Sequence, residues 1–334
     1  MKLAIHPNGF GKNWIDFCQR NNIEYKLVDI YASDIINQVR SCDAFMWHHS
    51  HADYRDMLFA KQLIFSLETM GVKCFPDFHT TWHFDDKVGQ KYLLEAVGAP
   101  LVPSYVFYTK KEAMNWIEKT SFPKVFKLRG GAGAANVKLA HNKREARQLV
   151  RKAFGRGFTQ FDRAGYLKER YRKWREGKDS IVGVLKGIGR LFIATDFAKM
   201  HHREKGYAYF QDFIPNNDCD FRVKVVSGNC WAFRRKVRKN DFRASGSGDL
   251  IFDNSKIPIE IIKCAQKFAS DLNLQSVAFD FVEDKDIQKF LIVEISYCFG
   301  FDDYETKNGY WDSNEVFHSE EFNPFDWMVE DLIK

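Results

Sequence analysis

The chain has 334 residues, room for two domains or three small ones. Its 45% hydrophobic and 28% charged residues match a folded globular protein and argue against disorder. The net charge is +6, and no window approaches the roughly 18 consecutive apolar residues of a membrane span.

The first hundred residues alternate strands and helices. Leu3–Pro7 reads as a strand, and Gly9 and Gly11 lead into a helix reaching about Arg20. Strands at Tyr25–Ile30, Ala44–His48 and Lys73–Phe75 are separated by helices at Ser33–Arg40 and Asp53–Met70. This βαβα pattern predicts a small parallel sheet with helices on both faces. Asp85 reads as the cap of a helix ending near Val97, before Gly98 and Pro100. A strand at Ser104–Tyr108 and a helix at Lys111–Lys119 follow.

Pro123–Leu128 and Val137–Ala140 read as two strands joined by the small-residue loop Arg129-Gly130-Gly131-Ala132-Gly133-Ala134-Ala135-Asn136. Residues 151–205 then carry 15 Lys/Arg against 6 Asp/Glu. Within them Tyr166–Arg175 has helical spacing of Tyr, Leu and Trp among arginines. That stretch is either a solvated basic face or a patch for an anionic partner, and no nucleic-acid motif accompanies it. Beyond it, Tyr207–Ile214 is a strand, and Phe221–Val226 and Cys230–Val237 form a hairpin around Ser227-Gly228-Asn229. Ile257–Leu272 is a helix, Val277–Val282 and Phe290–Ile295 pair as the last strands, and Asp326–Ile333 is a terminal helix.

Seven cysteines without a Cys-x-x-Cys pair exclude a zinc ribbon and fit free thiols in a reducing cytoplasm. Met1–Pro7, with one charge and few apolar residues, does not read as a secretion signal. A cytoplasmic location is therefore expected.

The loop Gly130–Gly133 is neither a Walker A nor a Rossmann fingerprint: no Gly-Lys-Ser/Thr ends it, and a strand follows it. Glycines between antiparallel strands do let backbone N–H groups close over phosphate oxygens. Lys127, on the strand entering the loop, suits the charge of a nucleotide. Lys87 sits in the first turn of a helix, where a cation opposes the dipole unless an anion such as phosphate offsets it. Asp280 and Glu294 sit within apolar strand sequence, costly to bury unless paired or metal-bound. With the Ser296 hydroxyl they form a hard oxygen set for Mg²⁺. Asp220 and Arg222 share a strand face, and Arg234, Arg235 and Arg238 follow on the partner strand before Asp241–Gly248. Arginines opposed on a hairpin repel unless an anion lies between them, and a transferring phosphate is one such anion. His48-His49-Ser50-His51 follows the third strand, at the sheet edge where ligands of open α/β sheets bind. His49 or His51 is expected to touch the acceptor substrate there, the alternative being a plain surface loop; a zinc reading lacks a partner at helical spacing.

The order of these features resembles the ATP-grasp superfamily over about residues 80–300. The likeness is to carboxylate–amine ligases such as ribosomal-protein glutamate ligase, glutathione synthetase and D-alanine–D-alanine ligase. It implies an α/β (α+β) fold in three parts. These are a pre-ATP-grasp domain at 1–82, a central subdomain at 83–210 with a basic helical insertion near 151–205, and a C-terminal subdomain at 211–334. It implies ATP and Mg²⁺ as cofactors. Lys87 and Lys127 would hold the α/β-phosphates, and Gly130, Gly131 and Gly133 would cover the triphosphate. Gln211, Asp212, Phe213 and Ile214 would form the adenine hinge, and Asp218 or Asp220 would reach the ribose. Arg222 and Arg238 would stabilise the transferred phosphoryl group, and Asp280 and Glu294 would bind the metal. Ser245 and Gly246 stand on the substrate side, where the family carries an Asn-rich loop. Ser296 departs from the usual Glu-x-Asn.

The implied reaction joins a small or sugar-type acid to an amine through an acyl phosphate. The competing readings are a kinase of a sugar-like or inositol-like acceptor and a non-catalytic ATP-binding module. Small-molecule, anionic partners are expected, with no membrane or nucleic acid. The aromatic content, 16%, suits a dimer interface.

Overall fold

A computed structural model of the chain describes residues 1–51, 53–131, 136–159, 167, 170–172, 174–175, 180–192, 203–238, 241–244, 246 and 248–334. In chain order the strands are β1 (Lys2–Ile5), β2 (Glu24–Leu27), β3 (Ala44–Met46), β4 (Lys73–Phe75), β5 (Ser104–Phe107), β6 (Lys124–Lys127), β7 (Lys138–Ala140), β8 (Ala208–Asp212), β9 (Cys219–Val226), β10 (Asn229–Lys236), β11 (Leu250–Ile251), β12 (Ser276–Asp284), β13 (Lys289–Ser296), β14 (Tyr310–Trp311) and β15 (Phe317–His318). They build three sheets: β2-β1-β3-β4, β5-β8-β6-β7, and β13-β12-β9-β10-β14-β15 with β11 added to β10. The chain gathers into two compact units. One comprises Met1–Phe84, Gly89–Leu101 and Ile214–Lys334; the other comprises Asp85–Val88 and Val102–Phe213.

In the first unit, β1–β4 form the parallel sheet that the alternating pattern predicts. Its inner strands β1 and β3 are short and mostly buried because helices pack on both faces, whereas the edge strand β2 (Glu-Tyr-Lys-Leu) is half-exposed. The helix Gly11–Arg20 buries Trp14, Phe17 and Cys18. The helix Tyr54–Thr69 starts at Asp53, whose carboxylate accepts the Arg55 N–H, and buries Ala60, Leu63, Ile64 and Leu67.

The larger sheet of the same unit is antiparallel, with β9 between β10 and β12. Strand alternation gives it two unlike faces. Phe221, Val223 and Val225 share one apolar core with Ile261, Ile262, Ala265 and Phe268 of the helix Ile259–Asp271. Asp220, Arg222 and Lys224 therefore point the other way.

In the second unit, β6 lies between β8 and β7, antiparallel to both. Phe126 and Phe210 join Ala113 and Ile117 of the helix Lys110–Lys119 and Ala146 and Val150 of the helix Lys143–Ala153 in one core. Val125, Lys127, Tyr209 and Gln211 occupy the opposite face.

Several expected bounds shift. Strand β2 stops at Leu27 and β8 at Asp212, and the terminal helix starts at Pro324, capped by Asn323. The helix Lys143–Ala153 and strands β11, β14 and β15 were not expected. Of the helix read at Tyr166–Arg175, Leu167, Arg170, Tyr171, Arg172, Trp174 and Arg175 are helical. Tyr166, Lys168, Glu169 and Lys173 lie outside the described residues. No helix among the described residues is long and apolar enough to cross a membrane. All seven cysteines are free thiols.

Candidate active site

Among the described residues of the second unit, three lysines are buried: Lys87, Lys124 and Lys127. Burying an ammonium is costly without hydrogen-bonded oxygens, and each has them. Lys127 Nζ donates to Gln211 Oε1 at 2.6 Å. Gln211 Nε2 in turn donates to Ser104 Oγ at 3.1 Å, and Ser104 donates to the Val102 carbonyl at 2.8 Å. Tyr209 donates to the same Ser104 oxygen at 3.2 Å. A continuous polar chain thus crosses β6, β8 and β5 on the face opposite the core.

Asp212 belongs to the other face. It meets Lys124 in register and pairs with it at 2.6 Å, while its N–H donates to the Pro103 carbonyl at 2.9 Å. Of the expected hinge residues, Gln211 places its side chain beside Lys127. Phe213 and Ile214 follow β8, and the chain passes between the two units there.

The segment Asp85–Lys87 anchors the entry of the glycine loop. Asp85 does not cap a helix, as its sequence position suggested. It adopts a left-handed backbone, φ 53°, and its carboxylate accepts the Gly131 N–H at 2.6 Å. Lys87 N–H donates to the Arg129 carbonyl at 2.9 Å, and Lys87 Nζ to the Gly131 carbonyl at 2.7 Å. Gly131 itself has φ 107°, a conformation that side chains resist. Lys87, Gly130 and Gly131 are thus brought together, 44 residues separating Lys87 from Gly131. Gly133 lies outside the described residues.

In the first unit, the polar face of the large sheet carries a row of charges. Arg222 on β9 stands opposite Asp280 on β12, which stands opposite Glu294 on β13. Arg222 grips Asp280 bidentately at 2.7 and 2.8 Å. Arg235 grips Asp220 at 2.8 and 2.6 Å and reaches Asp280 at 2.9 Å. Burial opposes the charge on Asp280, but the Arg222 and Arg235 guanidiniums together outweigh it and hold that carboxyl well below its usual range. Burial pushes Asp220 upward, against the pull of Arg235.

Formally the row holds three carboxylates and two guanidiniums, one negative charge in excess. Asp280 Oδ1 accepts a single hydrogen bond, leaving acceptor capacity for a cation. The donor set and charge balance fit Mg²⁺. Ser296 lies two residues beyond Glu294, its hydroxyl donating to the Cys298 carbonyl at 3.3 Å. Among the described residues there is no cluster of three or more His, Cys, Asp or Glu able to hold a metal, so Mg²⁺ would depend on this pair, waters and phosphates.

Two expected residues of the first unit are otherwise engaged. Asp220, expected at the ribose, has both oxygens engaged by Arg235. Arg238 is buried beyond β10, where its N–H donates to the Arg243 carbonyl at 3.1 Å. Gly246 is exposed with φ 72°, and Ser245 lies outside the described residues.

Sequence reasoning missed the pair beside the row. Lys224, two residues beyond Arg222 on the same face, is 1% exposed and bonds Glu305 at 2.5 Å, itself 3% exposed. Lys224 also donates to the Gly300 carbonyl at 2.7 Å, and Trp231 Nε1 donates to Glu305 at 2.7 Å. Burial pushes the Lys224 ammonium down to about 8, against the pull of Glu305 and with help from Arg222 and Arg235. The available signal was the period-two series Asp220-x-Arg222-x-Lys224.

Of the histidines after β3, His49 is buried, and His48 and His51 are partly buried. His48 stacks on Phe10 with ring centroids 3.8 Å apart, and His51 stacks on Phe84 at 5.0 Å. His49 is 1% exposed, and its carbonyl accepts the Tyr297 hydroxyl. Burial lowers His48 and His83 to about 4, and His49 well below its ordinary value. These rings stay neutral in the folded state while their unfolded counterparts gain protons below about 6.5. The stability they contribute is complete above pH 6.5 and is lost as pH falls towards 4. Urea midpoints measured at pH 7 and pH 5 are expected to fall by several tenths molar at the lower pH, and by less in His83→Phe.

The family described as carbamoyl-phosphate synthase L chain, ATP binding domain, matches residues 86–183. A search among curated proteins finds no match. Solved structures are similar across the chain. The RimK domain protein ATP-grasp from Sphaerobacter thermophilus is 13% identical with a TM-score of 0.58, covering 100% of this chain and 99% of that one. D-alanine–D-alanine ligase from Bacillus anthracis, complexed with ATP, is 12% identical with a TM-score of 0.58, covering 100% and 97%. The ATP-grasp ligase PsnB, complexed with minimal precursor, Mg and ADP, is 11% identical with a TM-score of 0.51, covering 99% and 96%. The chain has the ATP-grasp fold, and the resemblance drawn from its ordered motifs holds at that level.

Proposed function

We propose that the chain is an ATP-dependent carboxylate–amine ligase. The observation that carries this reading is the row Arg222–Asp280–Glu294, in which paired carboxylates and guanidiniums share one polar sheet face. The buried lysines and the glycine-loop anchor of the other unit support it, as does the company of ligases among similar folds. Lys87, Lys127 and the loop at Gly130 and Gly131 would take the phosphates, with Gln211 at the hinge. Asp280 and Glu294 would hold Mg²⁺, which supplies charge neutralisation at the phosphates when bound.

A substrate carboxylate oxygen attacks the γ-phosphorus of ATP, the bond to the bridging oxygen breaks, and ADP leaves. The acyl phosphate is then attacked at carbon by an amine, which loses a proton as phosphate departs and an amide forms. Arg222 donates towards the transferring group from its Nη1, which has no partner among the described residues. Arg235 holds Asp220 and Asp280 in place. No protein nucleophile takes part; the protein positions reactants and offsets charge.

The test uses an acid that stimulates ADP release, labelled with ¹⁸O in its carboxylate. One label is expected in the released phosphate once an amine is added. Label retained wholly in the acid while a stable phosphorylated hydroxyl accumulates would make the chain a kinase instead.

A further inference from the structure

Beyond the charged row, one part of the first unit holds buried polar atoms without partners. Among the described residues, Trp47 Nε1 and both ring nitrogens of His49 and His83 have no hydrogen-bond partner. Trp47 and His83 are 0% exposed, and His49 is 1% exposed. Native interiors satisfy nearly all such atoms, so five together call for a binding partner.

Trp47 and His49 are ring neighbours, and His83 is joined to them through the next residue, Phe84. The Trp47 and His49 rings lie 5.3 Å apart just beyond β3, and His49 lies 5.6 Å from Phe84, the residue after His83. Tyr297, three residues past Glu294, packs its ring 4.7 Å from His49. Gln90 donates to the His83 carbonyl at 3.2 Å, leaving that imidazole unused. The Lys61 charge, on the helix Tyr54–Thr69, acts on the His49 and His83 rings alike. The position is the carboxyl edge of the parallel sheet, where ligands of such sheets bind.

Chemistry narrows the ligand. Each neutral imidazole offers one N–H, and the indole offers another. Three N–H donors beside an ammonium match an oxyanion, which accepts hydrogen bonds and brings negative charge. We propose that Trp47, His49, His83 and Lys61 form a site for a carboxylate or phosphate group. It would hold a part of the substrate remote from the reacting acid. Only the word substrate rests on the ligase reading; binding of the anion does not.

The experiment titrates the full chain, without ATP or Mg²⁺, with succinate in one arm and inorganic phosphate in the other. Heat and the histidine C2–H resonances are followed. One arm is expected to saturate at one anion per chain, and which arm does so names the group. His83→Phe and Lys61→Met are each expected to weaken it at least tenfold, while Lys127→Met and Glu294→Gln leave it unchanged. Lys61, partly exposed on its helix, provides the variant least prone to misfold. Saturation in neither arm would overturn the proposal, as would wild-type binding by Lys61→Met. Loss of binding in Lys127→Met would assign the anion to the nucleotide residues and overturn it equally. Absent ligase activity with intact anion binding would refute the ligase reading alone.

Discussion

Replacing Lys224 by methionine is expected to cost about 3–5 kcal/mol of stability, the range for breaking a buried ion pair at one partner. The cost has a specific origin. Glu305 would keep a buried negative charge supported by the Trp231 and Asp302 N–H groups but by no cation, and the Gly300 carbonyl would lose its donor. That is a large share of the 5–15 kcal/mol or so that holds a typical domain. Urea unfolding followed by circular dichroism measures it. The double variant Lys224→Met with Glu305→Leu is expected to recover more than half the loss, because no charge is then stranded. A loss below about 1 kcal/mol in the single variant would show that water reaches Glu305.

The second large effect is expected at Glu294. Glu294→Gln removes one carboxylate of the pair without stranding either guanidinium, since Arg222 and Arg235 bond Asp280 and Asp220. ADP release is expected to fall at least about 100-fold, the scale of losing one charge-stabilising group at a phosphoryl centre. The Mg²⁺ concentration for half-maximal rate should rise, and the melting temperature should hold. Asp280→Asn is a poorer probe, because it would unpair Arg222 and take from Arg235 one of its two carboxylates. Unchanged rate and Mg²⁺ requirement in Glu294→Gln would remove that residue from the metal site.

Much of the fold is legible in the residues because each element is locally consistent. Short apolar runs between helices announce the parallel sheet, and the β9–β10 hairpin follows from its Ser-Gly-Asn turn. The helix Lys143–Ala153 was not expected because charge dominates its sequence and leaves few apolar residues to mark a period. Its start was nevertheless written at Asn142, whose side chain accepts the Glu145 N–H at 3.0 Å, while Glu145 accepts the His141 N–H at 2.9 Å. Strands β14 and β15 have two residues each, too few for any periodicity to register.

The site was legible unevenly. Asp280 and Glu294 stood out as carboxylates in apolar strands, and their facing register follows from the pairing of β12 with β13. Arg235 was indistinguishable from Arg234 and Arg238 by type; only the register opposite Asp220 selects it. Glu305 is 81 residues from Lys224, so that pairing exists only through tertiary packing. Asp85 read as a helix cap, because a residue that folds back onto a glycine loop has the same composition as one that caps a helix.

The most direct measurement incubates the protein with Mg-ATP, pooled carboxylic acids including sugar acids, and hydroxylamine in place of the unknown amine. ADP and hydroxamate are measured together. The account predicts hydroxamate in step with ADP, both lost in Glu294→Gln, with subdivision of the pool naming the acid. ADP release with no hydroxamate, for a pool that contains the stimulating acid, would contradict acyl-phosphate formation and with it the ligase assignment.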